Sequence, residues 1–90
     1  MNEKQDLVKI TVWREYDIGG VLFYVVKLTD GYLVRDEDAT VFYFVKAGSH
    51  REAVAKILTL EGVQGEPKYT GAWDVENMKF VNLPEEEVVE

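Results

Sequence analysis

Two segments of this chain are apolar on both of the phases that alternate along a β-strand, and no other feature limits the fold as strongly. Residues 21–28 and 41–45 consist almost entirely of β-branched, aromatic and leucine side chains. Strands with this pattern normally belong to sheets that are covered on both faces. The architecture therefore depends on what the rest of the chain supplies to cover them.

The segments around these two strands predict an antiparallel meander. Residues 7–16 alternate between apolar and polar side chains, which is typical of a strand with one buried face. Turn sequences at 19–20 (Gly-Gly) and 30–31 (Asp-Gly) reverse the chain into the strand that follows each of them. Residues 32–35 supply a short third strand. The first half of the chain therefore predicts four consecutive strands.

The pattern changes from a strand period to a helical period at Ser49. Glu52 follows three residues later, and this spacing is typical of a capping box, in which the serine oxygen accepts a hydrogen bond from the Glu52 amide and the glutamate reaches back to the Ser49 amide. Gly62 occupies the position of a left-handed helix cap. A helix of about three turns is therefore predicted after Ser49.

The remainder of the chain predicts a loop and one last strand. Glycine and proline are frequent in residues 62–72, which favours a loop with at most a short strand near residues 68–70. Alternation returns over residues 75–83, where we predict the last strand. Pro84 ends it.

These patterns predict an α+β fold in the order ββββαβ, with an antiparallel sheet of four to five strands and one helix packed on one face. The chain has enough material for one domain, residues 1–90, and we expect residues 1–6 and 85–90 to be frayed. A helix of about twelve residues is only some 18 Å long. The second face must then be covered by curling of the sheet, by the segment 68–83, or by another chain.

This shortage of covering material favours a non-catalytic protein-binding module: a small regulator or inhibitor of another protein, or a self-associating accessory protein. The expected partner is another protein or a second copy of the chain. Aromatic side chains on or near the sheet are the natural anchors for such a partner. The candidate interface residues are Trp13, Tyr16, Phe23, Val25, Tyr32, Tyr43, Tyr69 and Trp73.

Charge and composition disfavour several other classes of protein. The chain carries 17 acidic and 10 basic residues, a net charge of −7, which opposes binding to nucleic acid or to an anionic membrane surface. It contains no cysteine, which excludes disulfides, thiolate metal sites and cysteine nucleophiles. The same absence fits a reducing compartment, and we expect a cytoplasmic protein.

Two alternative functions remain open. The acidic composition suits a mimic of nucleic acid that occupies a basic groove of an enzyme. The start of the helix suits a small anion or a nucleotide, because free backbone amides and nearby cations converge there. The candidate residues of this anion site are Lys46, Ser49, His50 and Arg51.

The remaining polar residues predict neither an enzyme nor a bound cofactor. Asp36-Glu37-Asp38 is interpreted as a solvated acidic turn, because it lacks the glycine and the closing glutamate of a calcium loop. Ser49 and His50 are adjacent in sequence, but side chains at the start of a helix diverge, and a nucleophile needs an oriented base. No catalytic motif is found elsewhere.

Overall fold

Residues 9–86 are described by a computed structural model, and they form one helix and six strands in the order ββββαββ. The predicted α+β class and antiparallel sheet are confirmed, and the sheet is larger than the predicted four to five strands. The elements are β1 (Val12–Ile18), β2 (Val21–Lys27), β3 (Tyr32–Asp36), β4 (Phe42–Val45), α1 (His50–Glu61), β5 (Lys68–Asp74) and β6 (Lys79–Val81).

The sheet extends from its centre in both directions. Its strand order is β4-β3-β2-β1-β5-β6, and every neighbouring pair is antiparallel. The strands β1 to β4 form the predicted meander, and α1 then carries the chain back so that β5 pairs with the free side of β1. The two edges of the sheet are therefore β4 and β6.

The first hairpin has the turn that its sequence predicts. Gly19 and Gly20 have φ angles of 60° and 94°, which residues with a Cβ atom rarely adopt. The Gly20 amide donates to Asp17 Oδ1 at 2.8 Å and closes the turn. β1 itself begins at Val12, later than the predicted residue 7, and residues 9–11 precede it outside the strand. Residues 7 and 8 lie outside the described range.

The predicted loop over residues 62–72 ends at residue 67, and the short strand allowed near residues 68–70 is present but extends over the seven residues of β5. The pairing of β1 with β5 shifts register between Glu15 and Tyr16, so that Thr70 is an extra residue in β5. Gly71 follows this bulge with a φ of 136°. The glycine that suggested a loop therefore allows the strand to bend.

The last strand is shorter than the predicted range 75–83, because residues 75–78 form the turn between β5 and β6. The Asp74 carboxylate builds this turn. Its Oδ1 accepts from the amides of Glu76 at 3.0 Å and Asn77 at 3.1 Å. An aspartate that accepts from the backbone amides just beyond it is a common turn former.

The helix boundaries are confirmed. Ser49 Oγ accepts from the Glu52 amide at 3.1 Å. The Glu52 carboxylate reaches the Gly48 amide at 2.8 Å, one residue earlier than the predicted Ser49 amide. Gly62 closes the other end with a φ of 76° and an N–H that points to the carbonyls of the last turn.

The helix packs on one face of the sheet, which we name the covered face. Neighbouring residues in the strands alternate between this face and the opposite one. The buried residues that the strands contribute to the covered face are Tyr16, Ile18, Phe23, Val25, Tyr32, Val34 and Val45. Those that the helix contributes are Ala53, Val54, Ile57 and Leu58. Burial of these side chains is the main source of folding free energy in the described part of the chain.

The segment after β6 covers the rest of this face. Tyr69 Oη donates to the Leu83 carbonyl at 2.7 Å, and Arg14 Nε donates to the Pro84 carbonyl at 3.0 Å. Tyr16 Oη donates to Glu85 Oε2 at 3.0 Å. Glu85 thus has a defined partner where fraying was predicted. Residues 1–6 and 87–90, the rest of the predicted frayed ends, lie outside the described range.

Candidate functional site

The opposite side of the sheet, which we name the open face, has no helix packed on it within residues 9–86. Strand alternation and the register of the five strand pairs define its members. They include Trp13, Glu15, Asp17, Leu22, Tyr24, Val26, Leu33, Arg35, Phe42, Phe44, Lys68, Trp73 and Phe80.

Aromatic side chains of the open face are most exposed at its two edges. Phe42 and Phe44 on β4 are 52% and 53% exposed, and Phe80 on β6 is 54% exposed. Leu33 lies opposite Phe44 on the neighbouring strand. We name Leu33, Phe42 and Phe44 the β4 patch. Because these apolar rings are exposed to water, their burial by another molecule would favour binding.

The centre of the open face is ordered by a stacked arginine. The Arg35 guanidinium carbon lies 4.7 Å from the ring centroid of Trp13 and 4.4 Å from that of Tyr24. Tyr24 Oη in turn donates to Glu15 Oε2 at 2.6 Å. Burial and the hydrogen bond to Glu15 raise the pKa of Tyr24 above its ordinary value, so that this phenol keeps its proton. The centre is therefore a satisfied polar and aromatic cluster between two apolar edges.

Gly31 holds β4 close to the start of β3. A Cβ atom on Gly31 would lie 2.7 Å from the Val45 carbonyl oxygen and 2.9 Å from the Phe44 ring, which leaves no room for a side chain. The predicted reason for this glycine was turn conformation, but its φ is not positive. Close approach of the backbone to Phe44 is the actual requirement.

Among residues 9–86, β4 is an edge strand whose outer side carries backbone groups that no other strand pairs with. The Asp36 amide donates to the Val41 carbonyl at 3.4 Å, so that the backbone groups of Val41 are directed towards β3. Backbone groups alternate along a strand, so those of Phe42 and Phe44 are directed away from β3. The strand at this edge thus offers both exposed rings and the N–H and C=O groups that extend a sheet.

The structure buries five of the eight predicted interface residues, four of them on the covered face. Tyr16, Phe23, Val25 and Tyr32 are at most 5% exposed, and they belong to the covered face. They are therefore not available to a partner in the described chain. The physical reason is the alternation of side chains along a strand. One side of each strand faces the helix, and these residues lie on that side.

The other four predicted residues lie in two different places. Tyr43 is half-buried and donates a hydrogen bond to Glu61 at the end of the helix, and Tyr69 packs against Tyr16 on the covered face. Trp13 and Trp73 pair across β1 and β5 on the open face, where Trp13 is itself buried at 7% exposed. Only the two tryptophans thus share a face with the exposed phenylalanines.

Sequence reasoning did not select the residues that are most exposed on the open face. Phe42, Phe44 and Phe80 were assigned to strands but not to the candidate interface. The phase shared by Phe42 and Phe44 predicts that both lie on one face, but the choice of face depends on the position of the helix. If Tyr43 and Val45 face the helix, the two phenylalanines between and beside them must face the opposite way.

The predicted anion site at the start of the helix is occupied by carboxylates of the chain itself. The His50 amide donates to Glu86 Oε2 at 2.8 Å, and His50 Nδ1 lies 2.9 Å from Glu86 Oε1. Arg51 Nε donates to Glu85 Oε2 at 2.8 Å. Lys46 is exposed, and its carbonyl accepts from the Lys56 ammonium at 2.7 Å. The amides and the arginine that would hold an external anion thus already have an anionic partner.

The hydrogen bonds at this corner determine the titration of Glu86. Burial raises the pKa of Glu86, but the hydrogen bonds from the His50 side chain and from the backbone of the helix outweigh it, and the pKa lies below its ordinary value. His50 itself is 2% exposed. Ser49 Oγ is engaged in capping, so the adjacent hydroxyl and imidazole are structural elements of the helix start.

The acidic turn before β4 is organised by its first residue. Asp36 accepts from the Thr40 amide at 2.8 Å and from the Thr40 hydroxyl at 2.6 Å. The hydrogen bond from the Thr40 side chain is the main cause of a lowered pKa of Asp36. Glu37 and Asp38 are exposed. No group of three or more potential metal ligands is present among residues 9–86.

A shallow groove of about 600 Å³ lies between the second half of the helix and the loop 62–67. Two charged residues, Arg51 and Glu66, line it, and Arg51 is already engaged by Glu85 and by the Pro67 carbonyl, at 2.6 Å from the latter. The cation of this groove therefore already has partners within the chain.

Comparisons of this chain with models of protein families, with curated proteins and with solved structures found no match. Within the described residues, no helix has the length and apolar character needed to cross a membrane.

Proposed function

We propose that this chain is a non-catalytic protein-binding module, acting as a small regulator, an inhibitor or a self-associating accessory protein, and that its partner binds the open face. The observation that supports this proposal is the exposure of Phe42, Phe44 and Phe80 on the side of the sheet opposite the helix. Exposed aromatic side chains are typical anchors of protein interfaces.

The two alternatives receive less support. A mimic of nucleic acid needs a row of unpaired carboxylates, whereas Glu52, Glu76, Glu85 and Glu86 each have a basic partner within 4 Å. An anion-binding protein needs free donors at the start of the helix, and carboxylates of the chain already occupy them. Neither alternative uses the exposed phenylalanines.

Affinity capture with matched variants tests the proposal. The tagged protein is incubated with lysate of its native host, together with the variants F42R and F80R on the open face and L60R as control. Leu60 is 68% exposed on the solvent side of the helix, so that L60R makes the same change of charge away from the open face. We expect a stoichiometric protein that the wild type and L60R retain and that at least one open-face variant loses.

Equal capture by all four proteins would contradict a role of the open face in binding. Circular dichroism of each variant checks that the fold is retained. A replacement at an exposed position changes stability little, about 0.5 kcal/mol or less, so that loss of capture by a folded variant reports on the surface.

A further inference from the structure

We propose that the partner at the β4 edge is a second copy of this chain, and that the two β4 strands pair antiparallel to form one continuous sheet. This inference rests on the proposed function, because it names one occupant of the surface described there. It adds a specific register and a specific pair of charged contacts. Each of them can be tested separately from binding to other proteins.

Within residues 9–86, the edge strand β4 carries no charged residue or proline to protect it from pairing. Natural edge strands carry lysine, proline, bulges or inward-facing charges, which prevent pairing with another sheet. At the opposite edge, β6 is three residues long and begins with Lys79. The less protected edge is therefore also the one that carries two exposed rings.

The backbone groups on the outer side of β4 have the direction that pairing with a second strand requires. The N–H and C=O groups of Phe42 and Phe44 are directed away from β3, as the hydrogen bond of Val41 to β3 requires. A two-fold axis at Tyr43 brings Phe42 opposite Phe44 of the second copy and Phe44 opposite its Phe42. Both pairs are then of the hydrogen-bonded type, in which two residues exchange their N–H and C=O groups.

Apolar side chains are complementary in this register. Residues 41–45 lie opposite residues 45–41 of the second copy, so that apolar side chains meet across the whole edge. Phe42 and Phe44 belong to the open face, and each packs beside a phenylalanine of the other copy. The pairing therefore covers rings that are more than half exposed in the single chain.

Charge complementarity selects the antiparallel arrangement. The exposed residues Glu37 and Asp38 precede β4, and the exposed Lys46 follows it. Antiparallel pairing brings Lys46 of each copy to the acidic turn of the other, twice by symmetry. A parallel arrangement would place like charges together at both ends. Within one chain, Lys46 and Asp38 lie at opposite ends of β4, so the charged pairs described here form between the two copies.

Sedimentation equilibrium of the full chain over a concentration series tests the inference. We expect a reversible approach to twice the chain mass of 10.3 kDa. F44A removes the ring and keeps the N–H group, and F44P removes both. Because that N–H is directed away from β3, proline leaves the β3 pairing intact. We expect F44P to dimerise at least tenfold more weakly than F44A.

A charge exchange provides a test that does not alter the backbone. K46E and D38K should each weaken the dimer by about tenfold, and the double variant K46E/D38K should restore it, because the restored pairs lie between copies. K68E, an equal charge change on β5, is the control and should leave the dimer unchanged.

A wild-type chain that stays at 10.3 kDa at all concentrations would overturn the inference. So would a dimer that neither F44P nor the charge exchange affects, because such a dimer uses another surface. In both cases the open-face capture experiment with F42R, F80R and L60R still decides the proposed function. The two failures are therefore distinguishable.

Discussion

The covered face and the open face of this sheet are made from the same strands, yet similar side chains on them have very different environments. Within β4, Phe44 is 53% exposed and the next residue, Val45, is 8% exposed. The difference is the helix, which lies over Val45 and on the side away from Phe44. Hydrophobicity thus does not by itself determine burial here. The covered face supplies stability, and the open face keeps apolar rings available for binding.

The sharpest test of this difference compares two residues of the helix. Ile57 is 3% exposed against the covered face, and Leu60 is 68% exposed. Ile57→Ala should lower the free energy of unfolding by about 2–5 kcal/mol, since it removes buried methyl groups and leaves a cavity. Leu60→Ala should change it by about 0.5 kcal/mol or less. Urea unfolding followed by circular dichroism measures both, and equal losses would contradict the distinction between the two faces.

A second test loosens the open face at its β4 edge. Gly31→Ala places a methyl group within 3 Å of the Val45 carbonyl oxygen and the Phe44 ring, and the backbone must move to accept it. We expect a loss of about 1–3 kcal/mol in the free energy of unfolding. Gly48→Ala is the control, because the nearest atom to its added carbon is the flexible Glu52 carboxylate. Amide hydrogen exchange should show faster exchange in β4 for Gly31→Ala than for Gly48→Ala.

The parts of the fold that could be predicted from the sequence are those with local causes. The helix starts after Ser49 and ends at Gly62 because both caps are determined by residues within one helical turn. The first hairpin follows from Gly19 and Gly20 for the same reason. β5 was predicted too short because Gly71 has the same appearance in a bulged strand as in a loop.

The membership of the two faces could not be predicted from the sequence, because β2 and β4 are apolar on both phases. Nothing local distinguishes Phe23 from Tyr24 or Phe44 from Val45. The choice is made by the position of the helix, which is a property of the whole chain. The contacts of the Glu85 and Glu86 carboxylates could not be predicted for a similar reason, because their partners lie 34 to 69 positions away in sequence.

A third test concerns the centre of the open face. Arg35→Lys keeps the positive charge but removes the planar group that stacks between Trp13 and Tyr24. We expect a loss of about 1 kcal/mol in the free energy of unfolding and a change in tryptophan fluorescence. A loss as large as that of Ile57→Ala would mean that the open face is itself a structural core.

The smallest expected effect concerns the acidic segment that completes the covered face. Glu86→Gln keeps the shape of the side chain but removes the charge that His50 and the start of the helix stabilise. The side chain of Glu86 is 42% exposed, so solvent screening limits the loss at pH 7 to about 0.5–1 kcal/mol in the free energy of unfolding. Thermal or urea unfolding at pH 7 measures this difference from the wild type.

The pH dependence of that difference follows from the lowered pKa of Glu86. A carboxyl group whose pKa is lower in the folded state than its ordinary value of 4.5 stabilises the fold above that value. The stabilisation is lost as the pH falls through the lowered pKa, where folded and unfolded states both become protonated. Wild type and Glu86→Gln should therefore differ most near neutral pH and converge in acid. Asp36 and Asp74, whose pKa values are also lowered, titrate in both proteins and cancel from the comparison. A difference that stays constant from pH 7 to about pH 2 would show that the carboxylate charge does not hold this segment on the covered face.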